Sequence, residues 1–203
     1  MPEASDWLEI ARAEDPDDVR EQILTGYKAG KPFTPYEPTI PLPSPLGSVL
    51  DFGCGLGRNF PHLTRVAGAV SGFDLPPMIA RCRDLPAASG VALVDDWNAI
   101  KSLRFDLIVA SLVLQHIEPG ICHAYLEDFA RMAPHLYLLS RTDSDFQTNI
   151  FEDIHATGLF AAGECVEVDH DPATDQLRVL GRASFDEVRR LSGGRHYEVL
   201  LRS

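Results

Sequence analysis

The chain has 203 residues, 45% of them hydrophobic, which is enough for one compact domain with a sizeable core. Its 30 Asp and Glu against 18 Lys and Arg give a formal charge of −12, which disfavours a protein that holds nucleic acid through its phosphates. No apolar run approaches the ~20 residues of a membrane span, and the N-terminus lacks the pattern of an export signal. We therefore expect a cytoplasmic protein.

The first 45 residues differ from the rest in their residue pattern and proline content. Residues 3–30 predict a helical preface in two pieces. Six prolines follow between Lys31 and Pro45, and they deny this stretch both helix hydrogen bonds and central-strand pairing, so we expect an extended connector. We assign residues 1–45 as preface, connector and lid of the same domain, whose core spans residues 46–203.

From residue 48 onward, short apolar runs alternate with amphipathic stretches, a pattern typical of a parallel α/β sheet with helices on both faces. The run Leu177–Leu180 fits either an extra edge strand or a loop. The seven predicted strands are Ser48–Phe52, Ala69–Phe73, Val91–Val94, Phe105–Ser111, Leu136–Ser140, Glu164–Val168 and Tyr197–Leu201. The predicted helices are Asn59–Ala67, Met78–Leu85, Gly120–Met132, Gln147–Thr157 and Ser184–Leu191.

The sharpest local feature is a glycine-rich turn after the first strand. Asp51 is followed by Gly53, Gly55 and Gly57, and a helix is predicted to begin next. Alternate glycines let a backbone turn tightly and approach a ligand closely. The preceding carboxylate would repel a pyrophosphate but suits an ammonium group, so the turn indicates a ligand with a positively charged amino-acid head.

This acidic residue followed by G-x-G-x-G resembles the first signature of the class I S-adenosylmethionine-dependent methyltransferases. The resemblance extends over about Ser48 to Ser140, because three further segments occur in the order of that family. It implies a seven-stranded, mostly parallel Rossmann-like sheet and S-adenosylmethionine as cofactor. The cofactor-binding residues it implies in the first segment are Asp51, Gly53, Cys54, Gly55 and Gly57.

The second and third segments supply the other cofactor-binding candidates. Asp74, with Leu75, ends the second strand, where the resemblance implies a carboxylate on the ribose hydroxyls. The serine that commonly follows in the family is replaced by Pro76. After the third strand, Asp95 or Asp96 is implied to accept from the adenine amine; we favour Asp96. Trp97 fits either a purine-packing role or a core anchor.

The fourth segment runs from Phe105 to Pro119. By resemblance, Ser111 and Leu114 lie beside the cofactor, and Gln115 and His116 point toward the methyl group and the substrate. His116 is a candidate general base, or alternatively it orders the loop. Further substrate-pocket candidates are Tyr27, Tyr36 and Arg141.

The four cysteines, Cys54, Cys82, Cys122 and Cys165, form no C-x-x-C pair, and we predict neither a metal site nor a disulfide framework. The Asp/Asn-Pro-Pro-aromatic segment of base-amine methyltransferases is also missing after the fourth strand. The sequence thus predicts methyl transfer from S-adenosylmethionine to oxygen or nitrogen of a small molecule, by in-line displacement. The alternative is a non-catalytic cofactor-binding module of the same fold that regulates or scaffolds a partner protein.

Overall fold

The computed structural model of the protein describes residues 12, 37–143, 149–171 and 176–203. The predicted preface, apart from Arg12, and the first part of the connector lie outside these residues. The strands are β1 (Leu46–Phe52), β2 (Ala67–Phe73), β3 (Ala92–Val94), β4 (Leu107–Ser111), β5 (His135–Arg141), β6 (Ala161–Asp171), β7 (Gln176–Arg182) and β8 (His196–Arg202). The described helices are α1 (Phe60–Val66), α2 (Pro76–Cys82), α3 (Trp97–Ile100), α4 (Pro119–Met132), α5 (Ile150–Thr157) and α6 (Phe185–Val188).

These strands form one sheet in the order β3-β2-β1-β4-β5-β8-β6-β7. Strands β1 to β5 pair in parallel, whereas β8, β6 and β7 pair antiparallel. The predicted mostly parallel α/β architecture is confirmed. The predicted number of seven strands is wrong by one, because the run around Leu177–Leu180 forms β7, an edge strand paired with β6.

Each face of the sheet carries its own apolar layer. On the first face, residues such as Leu50 and Ile108 pack with Leu126 and Phe129 of α4. On the second face, Val49, Val109 and Tyr137 pack with Phe60 and Leu63 of α1. Because successive side chains of a strand alternate between the faces, Asp51 and its neighbour in register Val109 both belong to the second face.

The end of the connector also belongs to the second face. Ile40 is buried there, and Leu42 packs against the same apolar cluster. The prolines at 38, 41, 43 and 45 keep this stretch out of the sheet ladder, since proline has no N–H to donate. The end of the connector thus covers part of the sheet without pairing with its strands.

The starts of two helices show how the local sequence determines where a helix begins. Glu118 precedes α4, and its carboxylate accepts from the backbone N–H of Gly120 and Ile121. Helix α2 begins at Pro76, whose fixed φ favours the first helical turn, although Leu75 before it gives no side-chain cap. The predicted start at Met78 was two residues late for this reason.

Candidate functional site

The glycine turn connects β1 to α1 at the carboxyl edge of the sheet. Gly53, Gly55 and Gly57 have φ values of 70°, 54° and 79°, which side-chain-bearing residues rarely adopt. A Cβ on Gly53 would lie 2.4 Å from Cγ2 of Val113, so the turn also needs glycine for space. The Gly53 N–H donates to the carbonyl of Phe73 at 2.8 Å, which fixes the turn against the end of β2.

Asp51 lies at the base of this turn and is completely buried. Its Oδ1 accepts a 3.0 Å hydrogen bond from Nδ2 of Asn59, while its Oδ2 has no partner among the described residues. Burial raises the pKa of the Asp51 carboxyl to about 7, the Asn59 hydrogen bond lowers it, and the nearby Asp74 charge raises it. A buried carboxylate with an unused oxygen suits a cationic ligand.

Asp74 joins the glycine turn to the end of β2. Its Oδ2 accepts from the Gly55 N–H and its Oδ1 from the Leu75 N–H, both at 2.7 Å. Burial raises the pKa of the Asp74 carboxyl to about 6, against the effect of these two hydrogen bonds. An ionised carboxylate offers about four lone pairs, so Asp74 retains capacity for further donors such as hydroxyl groups.

The two acidic candidates after β3 have different surroundings. Asp96 is the N-cap of α3, because its Oδ1 accepts from the Asn98 N–H at 2.9 Å. Asp95 is exposed and makes no side-chain hydrogen bond with the part of the chain that is described. The geometry therefore leaves both carboxylates at the strand end but ties up one oxygen of Asp96.

Trp97 lies in an aromatic cluster with Phe52, Phe73, Tyr125 and Phe129. Its ring centroid is 5.0 Å from those of Phe73 and Tyr125, in edge-to-face arrangements. Its Nε1 donates to Oδ2 of Asp128 at 2.8 Å. These contacts support the interpretation of Trp97 as a core anchor.

The turn after β4 contacts the glycine turn. Ser111 ends β4 half-buried, and Leu112 has a φ of 56°, a strained value for a leucine. This backbone twist is held by the Leu112 N–H, which donates to the carbonyl of Leu139 at 2.7 Å. Val113 thereby contacts Gly53, and Leu114 is buried in the first-face core.

Gln115 and His116 follow in a 3₁₀ turn. Gln115 is buried, and its Oε1 accepts from Oγ of Ser140 at 3.0 Å and from the Arg141 N–H at 2.9 Å. Its Nε2 lies 3.3 Å from Nε2 of His116, which is half-buried. The structure therefore brings Gln115, His116 and the end of β5 together.

The remaining pocket candidates are less informative. The Arg141 guanidinium forms an ion pair with Asp143, with Nε and Nη2 each 2.9 Å from a carboxylate oxygen. Tyr27 and Tyr36 lie outside the described residues. Among the residues that are described, no group of three His, Cys, Asp or Glu could hold a metal ion. Within the same residues, no helix is both long and apolar enough to cross a membrane.

A narrow cleft lies on the second face beside Asp51. The side chains that line it come from the connector, α1, β4 and β5, and they are Pro38, Asn59, His62, Leu63, Val109, Ser111 and Tyr137. Asn59, which bonds Asp51, and Ser111, a predicted cofactor-side residue, thus face the same space.

Comparison with protein families gives a match over most of the chain. A family described as "Methyltransferase domain" matches residues 20–175. The chain belongs to this methyltransferase family. Comparison with curated proteins finds no match.

Solved structures show that this methyltransferase shares its fold widely. The N-methyltransferase NodS from Bradyrhizobium japonicum WM9, in complex with S-adenosyl-l-homocysteine, has a TM-score of 0.61 at 13% identity, over 97% of each chain. A TehB-like SAM-dependent methyltransferase from Corynebacterium glutamicum ATCC 13032 Kitasato has 0.54 at 18%, over 77% of this chain and 80% of that one. A protein solved in work on thioacetal formation during echinomycin biosynthesis has 0.54 at 18%, over 92% of each.

Sequence reasoning missed several residues that shape this site. Asn59 bonds the Asp51 carboxylate, and an Asn two residues after the last glycine was the available signal. Val113 limits the space at Gly53, which no pattern indicates. Thr39 and Glu198, which hold the connector, were missed because they are far apart in sequence.

Proposed function

We propose that this methyltransferase binds S-adenosylmethionine and catalyses methyl transfer to oxygen or nitrogen of a small molecule, leaving S-adenosylhomocysteine. The observation that carries the proposal is the buried Asp51 carboxylate at the glycine turn. Its Oδ2 has no partner among the described residues, and an isolated buried carboxylate is costly unless a ligand completes it. The ammonium group of the cofactor would do so.

The other residues of the turn fit the same ligand. Asp74 would accept the ribose hydroxyls, since each of its oxygens uses only one backbone donor. Asp95 or Asp96 would accept from the adenine amine, and Asp95 has the freer carboxylate. Gly53, Cys54 and Gly55 would lie close to the bound cofactor at the glycine turn. Ser111 and Leu114 would lie on its other side, next to β4.

Bound S-adenosylmethionine supplies a methyl group on a sulfonium centre, which is open to in-line attack. The chain's own task is then to bind, to orient the acceptor and to exclude water, for which alignment at about 3–3.5 Å suffices. Val113 and Leu114 provide an apolar boundary next to the glycine turn. This division of labour demands no covalent attachment to the protein.

Gln115 and His116 are proposed for the acceptor side. Ser140 and the Arg141 N–H fix Gln115, and Gln115 in turn contacts His116. A hydroxyl or amine acceptor loses a proton during the reaction, and His116 would receive it at an imidazole nitrogen. Arg141 would contribute to the same wall through its backbone and its ion pair with Asp143.

A small-molecule acceptor is supported by the charge of the chain and by its neighbours in fold. The chain's charge of −12 opposes a nucleic-acid acceptor. NodS is described as an N-methyltransferase, which favours nitrogen as the first acceptor atom to test.

Two measurements test the proposal in sequence. Calorimetry with S-adenosylmethionine and S-adenosylhomocysteine should show one site per chain, and production of S-adenosylhomocysteine should then appear with some member of a panel of amines and alcohols. Lack of binding by both ligands would refute the proposal. Binding without turnover on any acceptor would instead favour the non-catalytic module.

A further inference from the structure

A second buried carboxylate lies on the same face of the sheet as Asp51. Glu198 of β8 is completely buried, and it lies next to Leu139 of β5 in register. Strands β1 and β8 are three places apart in the sheet, which corresponds to about 14 Å at the usual strand spacing. The cleft lined by Ser111 and Tyr137 lies between these strands.

Four donors surround the Glu198 carboxylate. The Thr39 N–H donates at 2.9 Å and the Ile40 N–H at 3.2 Å, both to Oε2, and the Thr39 hydroxyl donates to the same oxygen. The Tyr137 hydroxyl donates to Oε1 at 2.8 Å. Three of the four donors thus belong to residues 38–40 of the connector, which we call the anchor segment.

This arrangement links the anchor segment to the cleft. Pro38, the first residue of the segment, lines the cleft, and so does Tyr137, which bonds the same carboxylate. Glu198 therefore fixes two residues of one cleft wall without lining the cleft itself. If the segment lifted away, the carboxylate would lose three of its four donors while still largely enclosed, at a high cost in free energy.

Packing alone does not require a carboxylate at this position. Well-packed apolar residues often stabilise a protein as much as a buried polar group does, and the advantage of the polar group is that it selects one geometry. Ile40 and Leu42 already attach the connector to the second-face core. What Glu198 adds is a defined register for the anchor segment relative to β5 and β8.

We infer that Glu198 is a positioning residue: it anchors residues 38–40 as a wall of the cleft beside Asp51, and this anchoring is coupled to cofactor binding. The inference rests on the proposed function. Because coupling between two sites is reciprocal, the cofactor should protect the anchor, and loss of the anchor should weaken cofactor binding.

The first readout is hydrogen exchange, which does not depend on enzymatic activity. Prolines flank the anchor segment and carry no amide hydrogen, so a peptide spanning residues 38–43 reports on Thr39, Ile40 and Leu42. Thr39→Val removes one donor at constant shape, whereas Thr39→Ser keeps the hydroxyl. We expect about tenfold faster exchange in Thr39→Val and near wild-type exchange in Thr39→Ser.

The second readout is the affinity for S-adenosylhomocysteine by calorimetry. Glu198→Gln places an amide N–H₂ group among hydrogen-bond donors, which loosens the anchor segment. We therefore expect the Kd for S-adenosylhomocysteine to rise about fivefold or more. The matched control is Asp106→Asn. The Asp106 Oδ2 also accepts two backbone N–H groups, from Gly47 at 2.6 Å and Ser48 at 2.9 Å, but at the opposite edge of the sheet. Its Kd should stay within about twofold of wild type, even where its Tm falls.

The outcomes separate the inference from the proposed function. Exchange of the anchor peptide should also slow when wild-type protein binds S-adenosylhomocysteine. Faster exchange in the anchor variants with unchanged Kd, or equal loss of affinity in Asp106→Asn, would overturn the positioning role alone. Absence of binding by wild-type protein would overturn the proposed function and the inference with it.

Discussion

At the scale of single residues, the site rests on carboxylates whose oxygens are unequally used. Asp51 has one oxygen without a partner in the described structure, Asp74 has one backbone donor on each oxygen, and Asp96 has one oxygen in a helix cap. The ligand-binding capacity of each side chain follows from what its oxygens already accept. Mutations of these residues should therefore differ in effect.

Asp74→Ala should weaken cofactor binding by about tenfold or more, because hydrogen bonds to a charged acceptor contribute roughly 1.5–3 kcal/mol. The variant also loses two bonds that hold Gly55 and Leu75. Calorimetric titration with S-adenosylhomocysteine measures the change. Asp106→Ala is the matched control: it loses two backbone hydrogen bonds, from Gly47 and Ser48, and is expected to lower Tm more than affinity. An affinity within twofold of wild type in Asp74→Ala would refute the ribose assignment.

The pH dependence of binding should report on Asp51. Burial raises the pKa of its carboxyl to about 7 in the free protein, and an ammonium ligand requires the ionised form. Kd for S-adenosylhomocysteine should therefore rise as pH falls below about 7, by up to about tenfold per unit, and level off above it.

Calorimetry in two buffers of different ionisation enthalpy should also show proton release on binding near pH 6. Asp51→Asn should bind weakly with little pH dependence. A Kd for wild-type protein that is constant from pH 5.5 to 8 would contradict the ammonium assignment.

At the scale of elements, the glycine turn and the turn after β4 depend on each other. Gly53→Ala meets two obstacles: a φ of 70° and a Cβ placed 2.4 Å from Cγ2 of Val113. Gly90→Ala meets only one, since Gly90 has a φ of 79° and nothing within 4 Å of the added Cβ. Comparing the Gly53→Ala and Gly90→Ala variants therefore separates the cost of backbone strain from the cost of steric overlap.

We expect Gly90→Ala to lose about 1 kcal/mol of unfolding free energy and Gly53→Ala several times as much, measured by urea denaturation. Gly53→Ala should also bind S-adenosylhomocysteine poorly, whereas Gly90→Ala should bind normally. The double variant Gly53→Ala/Val113→Gly should recover the steric part only; Val113→Ala would not suffice, because the Cβ at position 113 already lies 2.8 Å from the added one. Equal losses in the two single variants would show that Val113 does not restrict the turn.

The strands that could be predicted from sequence are those that form continuous apolar runs. Strands β1, β4 and β5 are apolar runs buried on both faces, and their positions agree with the prediction to within two residues. The β7 edge strand stayed ambiguous because Val179 and Leu180 are exposed, so its pattern differs little from that of a loop. The α3 helix spans only four residues, too few for a helical period.

The site was predictable where it lies within one segment. Asp51 and the three glycines are close in sequence, and the structure brings them together with Asp74. Glu198 was not predictable, because its donors Thr39 and Ile40 are about 160 positions away in the chain. The signal that existed was a glutamate inside the apolar strand β8, where only a partnered charge can be buried.

At the scale of the whole molecule, the acidic residues behind the net charge of −12 include two groups whose pKa values shift in opposite directions. Exposed carboxylates such as Glu37, Asp169 and Asp186 pair with arginines, and these pairs lower the pKa of each carboxyl. Pairs this exposed contribute little to stability. The pKa values of the buried Asp51 and the half-buried Asp74 are raised instead, and these two acids should dominate how the stability of the ligand-free protein changes with pH.

The sign of that change follows from proton binding. The folded state holds a proton on Asp51 up to a pKa of about 7 and on Asp74 up to about 6, whereas both titrate near 3.8 when unfolded. The folded state therefore binds more protons between these values, and the unfolding free energy falls as pH rises from about 4 to 7. The stabilisation from protonation is complete below the unfolded pKa and lost above the folded one.

Asp51→Asn removes the larger of these two titrations. The difference in Tm between the ligand-free variant and ligand-free wild type should therefore move in favour of the variant from pH 5 to pH 8, by roughly 3 °C or more. Scanning calorimetry at both pH values measures this shift, and any constant cost of the amide cancels between them. The same concentration of S-adenosylhomocysteine should raise the Tm of wild type more than that of the variant, because only the ionised Asp51 gains a cationic partner and the variant binds more weakly. A Tm difference that stays constant from pH 5 to pH 8 would contradict titration of Asp51 between these two pH values.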